Sequence, residues 1–197
     1  MKTIEINLYS YDELSNEAKQ CALREWNKNN TELLYDFEDY CKEVLKEEGF
    51  IDTKVSYSLS YCQGDGLCFS ARKYNKLENL FNEVLGPNKE KTAKLLTENC
   101  VQVFKGNNGH YSYAAKSDVD LYLENNTSSI NVTNTNNIDS IISEVLSKLE
   151  DIYIDICKQL ENTGYSQIKW EQSEEAFIDS CQANDYTFEI NGKMNNG

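Results

Sequence analysis

The sequence predicts an α+β fold: a single domain in which an antiparallel or mixed sheet carries helices packed mainly on one face. Three observations lead there. Several short segments alternate apolar and polar residues with period two, the signature of half-buried strands. Several longer ones carry apolar residues at i, i+3, i+4 spacing, the signature of amphipathic helices. Their order, β-α-α-β-β-α-α-β-β-α-α-β, is not the regular βαβ alternation that builds a parallel sheet.

The elements follow in chain order. Residues 2–9 set Ile4, Ile6 and Leu8 against polar neighbours and read as a strand, broken by Tyr11-Asp12-Glu13-Leu14-Ser15. Ser15 is placed to cap a helix reaching about Lys28, with a stripe of Ala18, Cys21, Ala22 and Glu25 or Trp26. A second helix is expected over 32–48, with Leu33, Leu34, Phe37, Tyr40, Cys41, Val44 and Leu45 on one face. Its other face carries Glu32, Asp36, Asp39, Glu43 and Glu47, a solvated acidic stripe, and Gly49 closes it. A hairpin covers 54–74. Residues 76–98 form two helical pieces split at Gly86-Pro87, which holds the only proline. Val101 and Val103 begin another strand, Gly106–Gly109 turn it, and the β pattern resumes from His110 through Val119, Leu121 and Leu123. The Asn/Thr-rich stretch 125–137 reads as an exposed, flexible loop. The longest apolar stripe then runs from Ile138 to Leu160, predicting a helix over 137–161 that Gly164 ends. Ser173 caps a helix over 173–183, Asp185–Ile190 form a final strand, and Asn191-Gly192 begin a short tail, 192–197.

Composition bounds the function. The chain has 197 residues and no Pro/Gly/Ser-rich linker, so it can bury a sizeable core as one domain, with room for a small helical appendage. Lysine and arginine number 19 against 33 acidic residues, a net charge of −14. The acidity is concentrated at the ends: residues 1–50 and 151–197 each carry −6, whereas 51–100 carry +1. So little cation density disfavours direct binding to a nucleic-acid backbone. An acidic surface suits a basic partner instead, or simply keeps the chain in solution. The opening Met1-Lys2-Thr3-Ile4-Glu5 has no apolar export signal, and no apolar run is long enough to span a membrane. The seven irregularly spaced cysteines read as free thiols in a reducing cytoplasm. Cys21, Cys41 and Cys157 fall on apolar helix stripes as small core residues. Cys62 and Cys68 flank a turn and are placed to face each other across the hairpin, but one histidine in the chain leaves a zinc site there short of ligands. No metal or cofactor is expected.

The densest special-backbone segment is Ser60-Tyr61-Cys62-Gln63-Gly64-Asp65-Gly66-Leu67-Cys68-Phe69. Val55, Tyr57, Leu59 and Tyr61 alternate with polar residues before it, and Leu67, Phe69 and Ala71 do so after it. Gln63-Gly64-Asp65-Gly66 makes the connection, its glycines supplying the positive φ that a tight turn needs. It is either a plain hairpin turn or a loop that presents backbone N–H groups, Gln63 and Asp65 to a partner. No Lys-Ser/Thr follows and a strand comes next, so it is not a phosphate-binding P-loop. Gln63, Gly64, Asp65, Gly66, His110 and Tyr111 are the candidate binding residues. His110 is equally a turn residue that hydrogen-bonds locally. No complete catalytic constellation is seen.

Four motifs recur together: Tyr11-x-x-Leu-Ser-x-x-Ala-Lys-x-x-Ala, Gln63-Gly64-Asp65-Gly66 entering Cys68-Phe69, Gly109-His110-Tyr111, and Ser173-Glu174-Glu175-Ala176 leading to Ala183-Asn184-Asp185-Tyr186-x-Phe188. In order and spacing they resemble a family of small accessory proteins of phages and prophages, labelled uncharacterised or antitoxin-like, across roughly residues 4–192. Cys62 stands where that family has Ser, Leu67 replaces a small residue, and the family's second histidine after Gly-His-Tyr is missing, which weakens a metal-site or two-histidine catalytic reading. The resemblance implies an anti-defence role in a bacterial cytoplasm. The first expectation is a binding inhibitor of the anti-CRISPR kind, whose acidic surface occupies the basic channel of a host nuclease or its ribonucleoprotein complex. A second is a protein that binds or processes a nucleotide through Gln63, Asp65, His110, Tyr61 and Tyr111, with Arg72, Lys73 and Lys105 as the nearby cations. A third is an antitoxin-like neutraliser of a basic toxin.

Overall fold

The computed structural model describes residues 7–30, 33–106, 117–124 and 135–195, with side chains described from 137 onward in the last stretch. The fold is α+β, with six α-helices and three antiparallel strand pairs among the described residues. By its contacts the chain forms two compact units, one of Met1–Tyr35 with Tyr165–Gly197 and one of Asp36–Gly164. Among the described residues no helix is long and apolar enough to cross a membrane.

The first unit begins with a single 3-10 turn, Tyr11–Glu13, closed by a capping box between Ser10 and Glu13. Helix α1, Asn16–Asn29, starts as its sequence predicts: the Ser15 hydroxyl accepts from the Ala18 N–H at 3.3 Å. Helix α6, Glu174–Ala183, is capped in the same way by Ser173, which accepts from Ala176 N–H at 3.2 Å. Between them Tyr11, Leu14, Ala18, Ala22, Phe177 and Phe188 form the core. Phe177 meets Tyr11 edge-on, with ring centroids 5.2 Å apart, and stacks on Trp26 at 5.1 Å. The Tyr11 hydroxyl donates to Glu174 at 2.9 Å, and burial together with that carboxylate pushes the phenol above its ordinary value.

Residues 2–6 of the expected N-terminal strand lie outside the described residues. The expected final strand, Asp185–Ile190, reduces to isolated bridges of Phe188 with Tyr9 and with Met194. Nor does Asn191-Gly192 begin a loose tail. Gly192 adopts φ +86 in a tight turn that returns the chain, Asn195 N–H donating to Thr187 C=O at 2.9 Å. A Cβ on Gly192 would collide with the Ala18 carbonyl, so no larger residue fits that turn.

In the second unit, helix α2, Phe37–Glu48, begins five residues later than its apolar stripe suggests. Leu34 upstream holds φ +65, which no helix tolerates, while Gly49 ends α2 in the left-handed region as expected. Strand β1, Phe50–Ile51, leads through a turn to β2, Lys54–Ser58. Strand β3, Gly66–Ser70, pairs antiparallel with β2, and β4, Lys73–Tyr74, pairs antiparallel with β1. Helices α3, Leu77–Leu85, and α4, Glu90–Asn99, flank Gly86-Pro87, as the sequence reads. Strands β5, Cys100–Lys105, and β6, Asp118–Leu123, pair antiparallel in register Cys100↔Leu123 to Lys105↔Asp118. The loop expected at 125–137 lies outside the described residues up to Asn134.

Helix α5, Thr135–Glu171, overruns its expected end by ten residues. Gly164 is not its stop. A Cβ there would stand 2.8 Å from Phe37 Cζ and would strike Leu59, so glycine is required by packing rather than by chain termination. Tyr153, fully buried on α5, serves the sheet directly. Its hydroxyl donates to the Phe69 carbonyl at 2.6 Å and accepts from the Phe69 N–H at 3.0 Å, as a neighbouring strand would. Phe50, Phe69, Phe104 and Tyr153 pack ring to ring around it at 4.3–6.5 Å between centroids.

Candidate functional site

The β2–β3 hairpin is the segment the sequence singles out, and its loop is wider than four residues. Ser58 pairs with Gly66, so the connection is the seven residues Leu59–Asp65, not Gln63–Gly66 alone. Leu59 is buried and anchors one end against Gly164 of α5. Asp65, only 7% exposed, anchors the other. Its carboxylate turns inward and accepts from Ser60 N–H at 2.7 Å, Cys62 N–H at 3.0 Å, the Cys62 thiol at 3.0 Å and the Ser58 hydroxyl at 3.3 Å. Asp65 N–H in turn donates to Cys62 C=O at 3.1 Å, closing the last turn of the loop. Charge-assisted bonds of this kind are roughly twice as strong as neutral ones.

The residue held by this clamp is Tyr61. It takes φ +55, a left-handed conformation that a bulky side chain rarely adopts, and its side chain is 68% exposed. Positive φ in the loop itself therefore falls on Tyr61 rather than on Gly64. The two N–H groups that Asp65 binds, Ser60 and Cys62, flank it on either side. Strain of this kind persists only where neighbours over-determine the backbone, and it concentrates at functional positions. Tyr61, Cys62 and Gln63 all face solvent; Gly64 is half-buried, and Gly66 is buried where β3 begins. The tip thus presents an aromatic ring, a thiol and an amide on a stiff hairpin.

One expectation is corrected by the strand register. Cys62 and Cys68 do not face each other: Cys68 pairs with Ser56 and is fully buried, while Cys62 is exposed in the loop. All seven cysteines are free thiols. His110 and Tyr111 lie outside the described residues. Arg72 forms an ion pair with Asp52, and Lys73 and Lys105 are exposed.

Sequence reasoning missed Glu161, on α5 behind the loop. Burial, and then the charge of Asp65, raise its carboxyl above the ordinary 4.5. A second negative group beside Asp65 opposes a phosphate at this place. Nothing in the linear sequence links the two residues; only the helix register brings them together. Among the described residues, no three histidine, cysteine or carboxylate side chains converge as metal ligands would.

In the second unit, α2 carries Asp39, Glu43 and Glu47 of the expected acidic face, Asp36 stands just before it, and Glu32 lies outside the described residues. Asp36, Asp39, Glu43 and Glu47 are exposed, and Lys42 bridges Glu38 at 2.9 Å and Asp39 at 3.1 Å. Compared with protein-family models, curated proteins and solved structures, the chain matches none.

Proposed function

We propose that this chain is a phage-encoded binding inhibitor of a host defence nuclease of the CRISPR type, acting on the protein rather than on nucleic acid. The observation that carries this reading is the Asp65 clamp. Four hydrogen bonds to one buried carboxylate fix a strained, exposed Tyr61–Gln63 tip, and a tip ordered in advance loses little entropy when a partner closes on it. Asp65 acts from beneath as the positioning residue; Tyr61 and Gln63 make the contact.

Charge selects the partner. A net −14 steers the chain towards basic surfaces and away from nucleic-acid backbones. On α2, Asp39, Glu43 and Glu47 recur about every 6 Å of helix axis. That is of the same order as one phosphate charge per 3.4 Å of a nucleic-acid strand. A channel built to grip phosphates with Lys and Arg would accept such a ladder.

The test is target-DNA cleavage by a purified CRISPR effector ribonucleoprotein, titrated with the chain at rising salt. Stoichiometric inhibition that weakens steeply with salt is expected. Tyr61→Ala with Gln63→Ala, both exposed, should raise the half-inhibitory concentration about tenfold or more, in line with loss of an interface anchor. Undiminished cleavage across effector types would overturn the reading, and a flat salt response would overturn its charge-steered part.

A further inference from the structure

Both tryptophans of the chain, Trp26 and Trp170, line one groove of about 510 Å³ in the first unit. Trp26 comes from α1 and is half-buried, its inner face stacked on Phe177 at 5.1 Å and 30°. Trp170 comes from the last turn of α5 and is 55% exposed, a large indole left open to solvent. Helix α6 contributes Ala176, Asp179, Ser180 and Ala183 to the lining, with Asp179 exposed. Glu171, half-buried, also lines the groove. Its carboxylate accepts from Leu34 N–H at 3.1 Å and from the Gln167 amide at 2.8 Å, which fixes its position. The remaining lining is Asn, with no Lys or Arg among the lining residues.

Indole faces attract cations through their quadrupole, and they do so best when a carboxylate is near and water is partly excluded. Guanidinium adds two properties that suit this groove. It stacks flat on an aromatic plane, and its edge forks onto a carboxylate. An apolar ligand would leave Asp179 desolvated without a partner, and an anion would be repelled by both carboxylates. The unit around the groove is itself acidic, with 6 basic against 12 acidic residues over 1–35 and 165–197. A second copy of the chain therefore brings the wrong charge.

We propose that the Trp26–Trp170 groove is a docking site for an arginine-bearing segment of a partner protein, the guanidinium stacked on Trp170 and forked onto Asp179. It belongs to the other unit of the chain, and the proposal does not rest on the Tyr61 tip. Arginine recognition here can fail while nuclease inhibition through the tip holds, and the reverse.

The experiment uses the full chain labelled with ¹⁵N-tryptophan, which gives one indole N–H signal per tryptophan. It is titrated with an acetylated, amidated peptide alternating Arg and Gly, beside the same peptide with Lys or with Glu. Saturable shifts of both indole signals are expected, with Arg binding more tightly than Lys and Glu causing no shift. Trp170→Ala, read through the remaining Trp26 signal, should weaken binding about tenfold, the size of one partly desolvated cation–π contact. Asp179→Asn, a surface change that leaves the fold alone, should weaken it severalfold and flatten the salt dependence. No shift up to about 1 mM peptide, a regime weaker than any specific site of this kind, would overturn the proposal. So would equal binding of Arg and Glu peptides, or indole shifts that follow protein concentration alone and so report self-association.

Discussion

Replacing Gly164 with alanine tests the packing that seats the Tyr61 loop, because the sign of the effect is at stake. In an exposed helix interior, Gly→Ala stabilises by about 1 kcal/mol. Gly164 is inside α5 and buried. A Cβ there would lie 2.8 Å from Phe37 Cζ and 3.1 Å from Phe37 Cε1, and nearer still to Leu59 Cδ1. Carbon atoms settle at about 3.5–4.0 Å, so both neighbours must yield by about half an ångström or more. Phe37 has nowhere to go: it is fully buried, with its ring edge-on to Tyr57 at 5.2 Å. Overpacking of this kind costs about 1–3 kcal/mol, and two close neighbours put the site in the upper part of that range. The helix-propensity gain offsets part of it, leaving a net loss of about 1–2 kcal/mol. Urea unfolding followed by far-UV circular dichroism reads the change; tryptophan emission does not suit, because both tryptophans belong to the other unit. In a Leu59→Ala background the nearest clash is gone and the space left lets the Phe37 ring shift, so the same substitution should become roughly neutral, a coupling of about 1–2 kcal/mol. A raised urea midpoint for Gly164→Ala alone, or simple additivity with Leu59→Ala, would refute the packing argument. Leu59 also opens the loop, so the single variant should weaken inhibition by the tip.

Three further outcomes are expected. In the native chain at pH 8, a thiol reagent should modify Cys62 first, since Cys41, Cys68, Cys157 and Cys181 are buried; a fast thiol that survives Cys62→Ser would contradict the loop geometry. Burial pushes the thiols of Cys41 to about 12 and of Cys100 and Cys181 to about 11, from the ordinary 9.0. The folded chain therefore keeps protons that the unfolded chain releases. That stability is complete below pH 9 and declines as pH rises towards 11–12, so the urea midpoint should fall over that window, less so in Cys100→Ser, and a midpoint flat from pH 7 to 10.5 would count against it. Glu161 likewise has a raised carboxyl, by burial first and then by Asp65. Its favourable contribution exists at low pH and is lost as pH climbs through its folded value, so Glu161→Gln should raise the urea midpoint at pH 7 and not near pH 4. The gain should shrink when Asp65 is also made Asn, and no gain at pH 7 would dismiss the carboxylate pair.

Local signals in the sequence carried far. Ser15 and Ser173 announce their helices because an N-cap needs only a side chain three residues from its partner. Gly49 and Gly86-Pro87 mark their breaks for similarly local reasons. Gly164 misled because glycine has two uses, ending a helix and allowing close approach, and only the position of Phe37 and Leu59 decides between them. The seven-residue loop was hidden by the alternation of Tyr57, Leu59 and Tyr61. That pattern continues past Ser58, but the ladder stops there, since Asp65 takes the N–H groups of Ser60 and Cys62 that a strand would have used. Of the final strand, the described residues show Phe188 paired with Tyr9 on one side and with Met194 on the other. For the site, Asp65 and Gln63 could be named from the motif, but not the inward direction of one and the outward direction of the other. Glu161 and the tryptophan groove needed the fold.

The Tyr153 hydroxyl has a consequence for synthesis in the cell. It satisfies both backbone groups of Phe69, yet 84 residues separate the two in the chain. At about 5–20 residues per second, the hairpin leaves the ribosome about 4 to 17 s before its tyrosine. Over that interval β3 presents an open edge of buried-type residues, Leu67, Cys68 and Phe69, to any other strand nearby. The nascent chain is most exposed to mispairing during that interval, and the arrival of α5 ends it.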